Sequence, residues 1–247
     1  MSDELLILLP IFFLIAMIYS SAGFGGGSSY IAVLALLPID FVNIRFIALL
    51  CNITVVGASV LLFYRHGFLN LKRIWPLIIL SVPLAYLGGR FRMEESLFFI
   101  LLGFTLLGAS LLMLLQPAKA ASKSWPAYTN GVIGGGIGFI SGLVGIGGGI
   151  FLSPVLHLTK WATPKCIAAT TALFILVNSI AGLIGQLSIN KMNLETANLL
   201  SLMTAVFLGG QIGSRLTIRK LAPETIKKIA GVLILLVSIR LLYKYLF

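Results

Sequence analysis

Two apolar stretches of this chain, roughly residues 5–37 and 127–159, are each about 33 residues long, and each has a run of glycines inside it. The first run is Gly23-Phe24-Gly25-Gly26-Gly27-Ser28. The second, 122 positions on, is Gly145-Ile146-Gly147-Gly148-Gly149-Ile150. A straight helix of that length would extend about 50 Å, well past a hydrocarbon core of roughly 30 Å. Glycine is a poor helix former and bares its backbone. Each stretch is therefore expected to be two short helices joined by an unwound glycine turn. In a bilayer such a break is tolerated only where protein or a wet cavity surrounds it.

Composition fixes the class. Of 247 residues 59% are hydrophobic and 10% charged, and mean hydropathy is +1.07. A soluble domain of this size would have no polar surface to show, so the chain reads as an all-α polytopic membrane protein, multi-pass in the cell (inner) membrane. Met1-Ser2-Asp3-Glu4 is acidic and lacks a basic leader region, which argues against a removable signal peptide and makes the first helix its own insertion signal. The net charge of +11 comes from basic residues scattered over many loops. That is the signature of topology and of anionic headgroups, and with no basic domain nucleic acid is not a partner. Cys51 and Cys166 fall in or beside apolar segments and read as packing residues.

Eight apolar segments can be read, at about 5–37, 42–64, 74–90, 96–115, 127–159, 165–188, 194–214 and 225–246. They form two homologous sets of four. Beyond the glycines, Tyr86-Leu87-Gly88-Gly89-Arg90 matches Gln211-Ile212-Gly213-Ser214-Arg215, and Gly103 and Ser110 match Gly231 and Ser238. The expected division is a first repeat over 1–118, a linker over 119–126 and a second repeat over 127–247. With eight simple crossings, basic residues divide ten against eight, and the positive-inside rule is mute. If each broken segment enters and leaves on one side, they divide twelve against six. The twelve are Arg65, Lys72, Arg73, Lys119, Lys123, Lys160, Lys165, Arg215, Arg219, Lys220, Lys227 and Lys228. The repeats are then inverted, a common transporter arrangement, and both termini lie outside.

An unwound turn that runs into a helix start exposes backbone N–H groups and a partial positive charge, which together bind anions without a charged side chain. Gly25, Gly26, Gly27, Gly147, Gly148 and Gly149 are the candidate cradle, with Ser28, Ser29 and Ser153 adding hydroxyls. The alternative is helix packing, since Gly23/Gly27, Gly138/Gly142 and Gly145/Gly149 have GxxxG spacing. Packing accounts poorly for adjacent triplets at matching places. A dinucleotide fingerprint would need a strand and a soluble βαβ unit, and neither is present.

Gly147-Gly148-Gly149 followed by Ser153-Pro154, the matching Gly25-Gly26-Gly27, and the duplicated plan resemble the sulfite exporter TauE/SafE family of membrane permeases over essentially the whole chain. That resemblance implies transport of small sulfur-containing or organic anions such as sulfite, sulfonates or sulfoacetate-like molecules. The first half departs from the pattern, with Ser28-Ser29-Tyr30 and no proline where the second has Pro154. The two half-sites are therefore expected to be shaped differently.

Polar residues inside the segments are the remaining candidates. Asn52 and Asn178, 126 apart and near repeat equivalence, together with Thr171 are candidates for ligand binding or for helix–helix glue. Thr54, Thr170, Ser179, Gln186 and Gln211 are weaker ones. Arg45, Arg90 and Arg215 stand at segment ends, where a guanidinium fork pairs an anion or snorkels to the interface. Asp and Glu occur only near segment ends or in loops, so a carboxylate proton relay is unsupported. His157 alone among histidines lies in a long segment.

The reading is a secondary transporter for small anions working by alternating access. An anion channel or a non-transporting assembly protein are the alternatives. An enzyme is not expected, since no His, Cys or carboxylate cluster sits at one depth, and neither cofactor nor metal is implied. Exposed GxxxG surfaces would permit a homodimer. The substrate, its direction and the coupling ion are not encoded legibly.

Overall fold

The computed structural model describes residues 2–91, 93–114, 127–189, 196–219 and 223–246, and every regular element among them is helical. The linker expected at 119–126 lies outside the described residues. The first apolar stretch is α1 (Ser2–Ser21) and α2 (Gly27–Leu34), and the fifth is α6 (Ala127–Val144) and α7 (Gly149–Leu158). Each divides at its glycine cluster, as the length argument requires. The other segments are single helices: α3 (Phe41–Arg65), α4 (Leu71–Arg90), α5 (Glu95–Leu114), α8 (Pro164–Leu187), α9 (Thr196–Arg219) and α10 (Pro223–Leu246). Five helices are long and apolar enough to cross a membrane, counted over the described residues: α3, α4, α8 and most of α5 and α9. Exposed Leu6, Trp75, Phe104 and Val132 belong to the outward, lipid-facing surface of such a bundle.

Small residues set the closest packings. On α6, Gly134, Gly138 and Gly142 lie against the backbone of Leu77, Ser81 and Ala85 on α4. The numbers rise together, so α4 and α6 run parallel. Gly209 and Gly213 on α9 lie in the same way against the carbonyls of Phe13 and Met17 on α1. A Cβ at these positions would meet backbone, which is how close approach replaces hydrophobic drive between helices in lipid. The GxxxG spacing of Gly138/Gly142 is therefore a packing stripe.

Other pairs run oppositely. Gln186 Nε2 of α8 donates to the Val42 carbonyl of α3 at 2.9 Å, while Gly57 of α3 faces Leu176 of α8. Gly103 of α5 faces Leu242 of α10, and Phe99 stacks on Tyr245 with ring centroids 4.5 Å apart. At one end of the bundle the α3–α4 and α7–α8 connections touch. The Arg73 guanidinium lies 4.2 Å from the Trp161 ring centroid, and Lys165 Nζ lies 5.5 Å from that of Phe68. Ile74, Leu77, Leu152, Leu156 and Phe174 fill the space beneath them.

Candidate functional site

The two breaks are made by one backbone device. Helix α1 ends with Gly23 in the left-handed region (φ 81°), and the N–H of Phe24 returns to the Tyr19 carbonyl at 2.9 Å. Helix α6 ends with Gly145 (φ 76°), and the N–H of Ile146 returns to the Ser141 carbonyl at 3.3 Å. This six-to-one bond with a left-handed glycine and an apolar residue after it is the Schellman stop. Three residues on, Gly26 (φ 90°) and Gly148 (φ 80°) are again left-handed and open α2 and α7 as N-caps. Neither new helix has a side-chain cap. Among the described residues, the N–H groups of Gly25, Gly26, Gly27 and Ser28, and those of Gly147, Gly148, Gly149 and Ile150, have no acceptor. A buried amide in that condition is costly by about 1–3 kcal/mol unless a ligand or water meets it.

Asn52 joins the breaks. It is fully buried at mid-length in α3. Its Nδ2 donates to the Ile146 carbonyl in the second break at 2.9 Å. A Cβ on Gly25 or Gly27 would collide with its amide, so bare backbone is what lets Asn52 reach the first break. Around the second break the corresponding wall is Ile175 of α8, which crowds both Gly147 and Gly149, with Ser179 one turn further and Thr171 one turn earlier. The side chain of α8 that lies against the second break is thus Ile175. Asn178 is buried and turns its Nδ2 back to the Phe174 carbonyl of its own helix at 2.8 Å.

Several buried polar atoms around the junction have no hydrogen-bond partner: Ser28 Oγ, Tyr30 OH, Asn52 Oδ1, Ser141 Oγ, Thr171 Oγ1 and Ser179 Oγ. Tyr30 stacks on Phe12 at 4.6 Å and brings its hydroxyl against Gly26. Ser29 Oγ donates to Tyr19 OH at 2.7 Å. Ser153 is buried one turn beyond the start of α7, and its carbonyl meets His157 Nδ1 at 2.8 Å. Sequence reasoning passed over Tyr19, Tyr30 and Ser141. Their signal was available: a tyrosine four residues before Gly23 and another three after Gly27, inside otherwise apolar stretches.

The three arginines part company. Arg45 is 2% exposed, in the first turns of α3. One guanidinium NH2 donates to the Gly142 carbonyl at 3.1 Å, and the cation lies 5.5 Å from the Phe98 ring centroid. Gly142 is in the last turn of α6, whose end carbonyls carry the negative pole of the helix, so Arg45 caps the helix that stops at the second break. It neither snorkels nor stands free. Arg90 and Arg215 are exposed, Arg90 with its cation 5.9 Å from the Tyr86 ring, and the structure does not bring them to the junction. Thr54 and Thr170 bond back to carbonyls of their own helices. Cys51 and Cys166 are free thiols. Among the described residues no group of three His, Cys, Asp or Glu is placed to hold a metal.

The junction offers backbone amides at the starts of α2 and α7 together with buried hydroxyls. The comparisons agree with the membrane setting. The chain is 32% identical over 249 residues to a probable membrane transporter protein of Sinorhizobium fredii, covering 98% of this chain and all of that one. It is 28% identical to a probable membrane transporter protein of Methanocaldococcus jannaschii, over 76% of this chain and 75% of the relative. A third such protein, from Bacillus subtilis, matches at 31% identity over 45% of the chain and 40% of the relative. No solved structure matches. The model of the sulfite exporter TauE/SafE family matches residues 8–241, and the chain is a multi-pass integral membrane protein that belongs to that family.

Proposed function

We propose that this protein is a secondary transporter for small anions, of the sulfur-containing kind that the family's description names, and that the cargo is held where the two glycine breaks meet. The observation that carries the reading is the Asn52 bridge. One side chain touches the first break and bonds the second, so eight acceptor-free amides are gathered around one place. Two helix N-termini, α2 and α7, add the same sign of potential there.

The transport cycle in this reading is alternating access between two inverted repeats. The matched helices support it: α3 is antiparallel to α8, and α5 to α10, as a two-fold axis in the membrane plane requires. The contacts of Arg73 with Trp161 and of Lys165 with Phe68 put the α3–α4 and α7–α8 connections at the same end. That agrees with the topology in which twelve cations gather on one side, which the positive-inside rule makes cytoplasmic. The inside-negative potential then drives an uncoupled anion outward at about 2.3 kcal/mol per charge per 100 mV, so export is the default direction.

The test is flux in proteoliposomes offered sulfite, alkyl sulfonates, sulfate and short carboxylates, with Gly26→Leu and Gly148→Leu as controls. The expected outcome is saturable movement of one anion class, abolished in both variants while membrane insertion persists. Wild-type flux in those variants would remove the breaks from the mechanism.

A further inference from the structure

A cavity of about 270 Å³ lies between α1, α2 and α10, away from the Asn52 bridge. Its walls are apolar, with Ile15, Val33, Leu236 and Leu241 among them, and its polar members are Ser29, Arg240 and Lys244. Ser29 is in the first turn of α2, beside the acceptor-free amides of the first break. Lys244 lies at the far end, where its Nζ reaches the Ala35 carbonyl that closes α2, at 3.4 Å. The cavity thus follows α2 from its buried start to its outer end, a distance of roughly 10 Å at 1.5 Å per residue. Arg240 and Lys244 are four apart on α10, both exposed, and Arg240 has no ion-pair partner among the described residues.

The second half lacks the elements of such a passage. Counting 122 positions on from α2, the small wall residues Ser29, Ala32 and Ala35 become Phe151, Pro154 and His157 on α7. Helix α5, which stands to α7 as α10 stands to α2, contains no lysine or arginine. The basic residues are therefore confined to the α10 side, and Lys244 places them toward the C-terminus of α10.

We infer that this cavity is the outer access path between the membrane surface and the first break, with Arg240 and Lys244 recruiting the anion at its mouth. The inference rests on the anion-transport reading. The charges argue for the occupant. A lone alkyl chain would gain nothing from cations at the mouth, and a neutral solute only hydrogen bonds from the amides beyond Ser29, whereas a small anion is favoured by charge at both ends. The bond from Lys244 to the Ala35 carbonyl ties α10 to the end of α2.

The experiment is thiol labelling in sealed membranes, with Ser29→Cys placed on a Cys166→Ser background and Ala32→Cys as a second position should the first disturb the Tyr19 bond. The negatively charged, membrane-impermeant ethylsulfonate thiosulfonate is added from the side of the C-terminus, and its rate is compared with that of the positively charged trimethylammonium reagent. The expected result is labelling from that side only, faster with the anionic reagent. Adding Arg240→Gln and Lys244→Gln should slow the anionic rate by about tenfold and speed the cationic one, effects that shrink as salt shortens the screening length. Labelling by a membrane-permeant reagent alone would mean the groove faces lipid, and equal rates for both charges would mean the cations do not recruit; either overturns the inference. Because labelling requires no flux, its failure is distinguishable from failure of liposomes to carry any anion.

Discussion

The two breaks share a stop and a restart, though only the second has a further left-handed glycine between them, at Gly147, and they differ in nearly every side chain around them. Both stop a helix on a left-handed glycine, and both restart it three residues later on another. The first is surrounded by Tyr19, Ser28, Ser29, Tyr30 and Asn52. Ile150, Phe151, Leu152 and Ile175 stand at the second, with hydroxyls supplied by Ser141, Thr171 and Ser179. The frame is what a bilayer demands of any interrupted helix, since every stop must satisfy its last carbonyls internally. The side chains are free to diverge because recognition needs only one set of them. In the transport reading proposed above, the first break would carry the cargo's specificity, while the second would supply amides and the Ile146 carbonyl that Asn52 holds.

The strongest way to break this comparison is to add one methyl group to equivalent glycines. Gly23 sits with its would-be Cβ 2.6 Å from the backbone of Ala168, while at Gly145 the nearest atom is Arg45 Cβ at 3.4 Å. Both substitutions incur the left-handed penalty, and only the first must also push a helix away. Gly23→Ala should destabilise by about 3–5 kcal/mol and Gly145→Ala by about 1–2 kcal/mol. Thermal unfolding in detergent reads the difference. Equal losses would mean that the two stops are packed alike.

Asn52→Ile makes the first break resemble the second. It removes the bond to the Ile146 carbonyl and leaves that acceptor buried, which costs about 1–3 kcal/mol. The effect on flux should be larger than stability alone explains, because the bridge between the breaks is lost. The reciprocal change, Ile175→Asn, should leave flux within about threefold, since the second break is bonded already through Ile146. If Asn52→Ile lowers the melting temperature and spares flux, Asn52 is glue between helices and no more.

How much of this was legible follows from which rule governs each residue. The breaks could be read from Gly23 to Gly27 and Gly145 to Gly149, because a stretch too long for the bilayer and rich in glycine has few other conformations. The packing role of Gly138 and Gly142 needed the structure, since four-residue spacing serves either purpose and only the backbone of Ser81 and Ala85 beneath them decides. The pairing of Asn52 with Asn178 came from counting along the chain. Ile175, three residues earlier on the same face of α8, is the side chain that crowds Gly147 and Gly149, and no count along the chain could show which of the two reaches the break. Arg45 was legible as a segment-end cation. That it would turn inward depended on where α6 stops, a fact held by a different half of the chain.

The smallest effect is the sharpest test of which break selects. Tyr19 and Tyr30 flank the first break, both fully buried, and differ in one respect: the Tyr19 hydroxyl accepts from Ser29, while the Tyr30 hydroxyl has no partner. Tyr19→Phe removes a made bond and should cost about 0.5–1.5 kcal/mol. Tyr30→Phe removes a donor that stabilises nothing within the protein, so stability should stay within about 0.5 kcal/mol or rise, because an unmet polar group is relieved. Flux should order them the other way. If the Tyr30 hydroxyl faces the cargo, Tyr30→Phe raises the KM for the preferred anion several-fold with kcat unchanged, the pattern of a lost ground-state contact, and erodes the preference between anions. A hydroxyl that merely fills space beside Gly26 would move neither number, and selection would then have to be sought among Ser141, Thr171 and Ser179 at the second break.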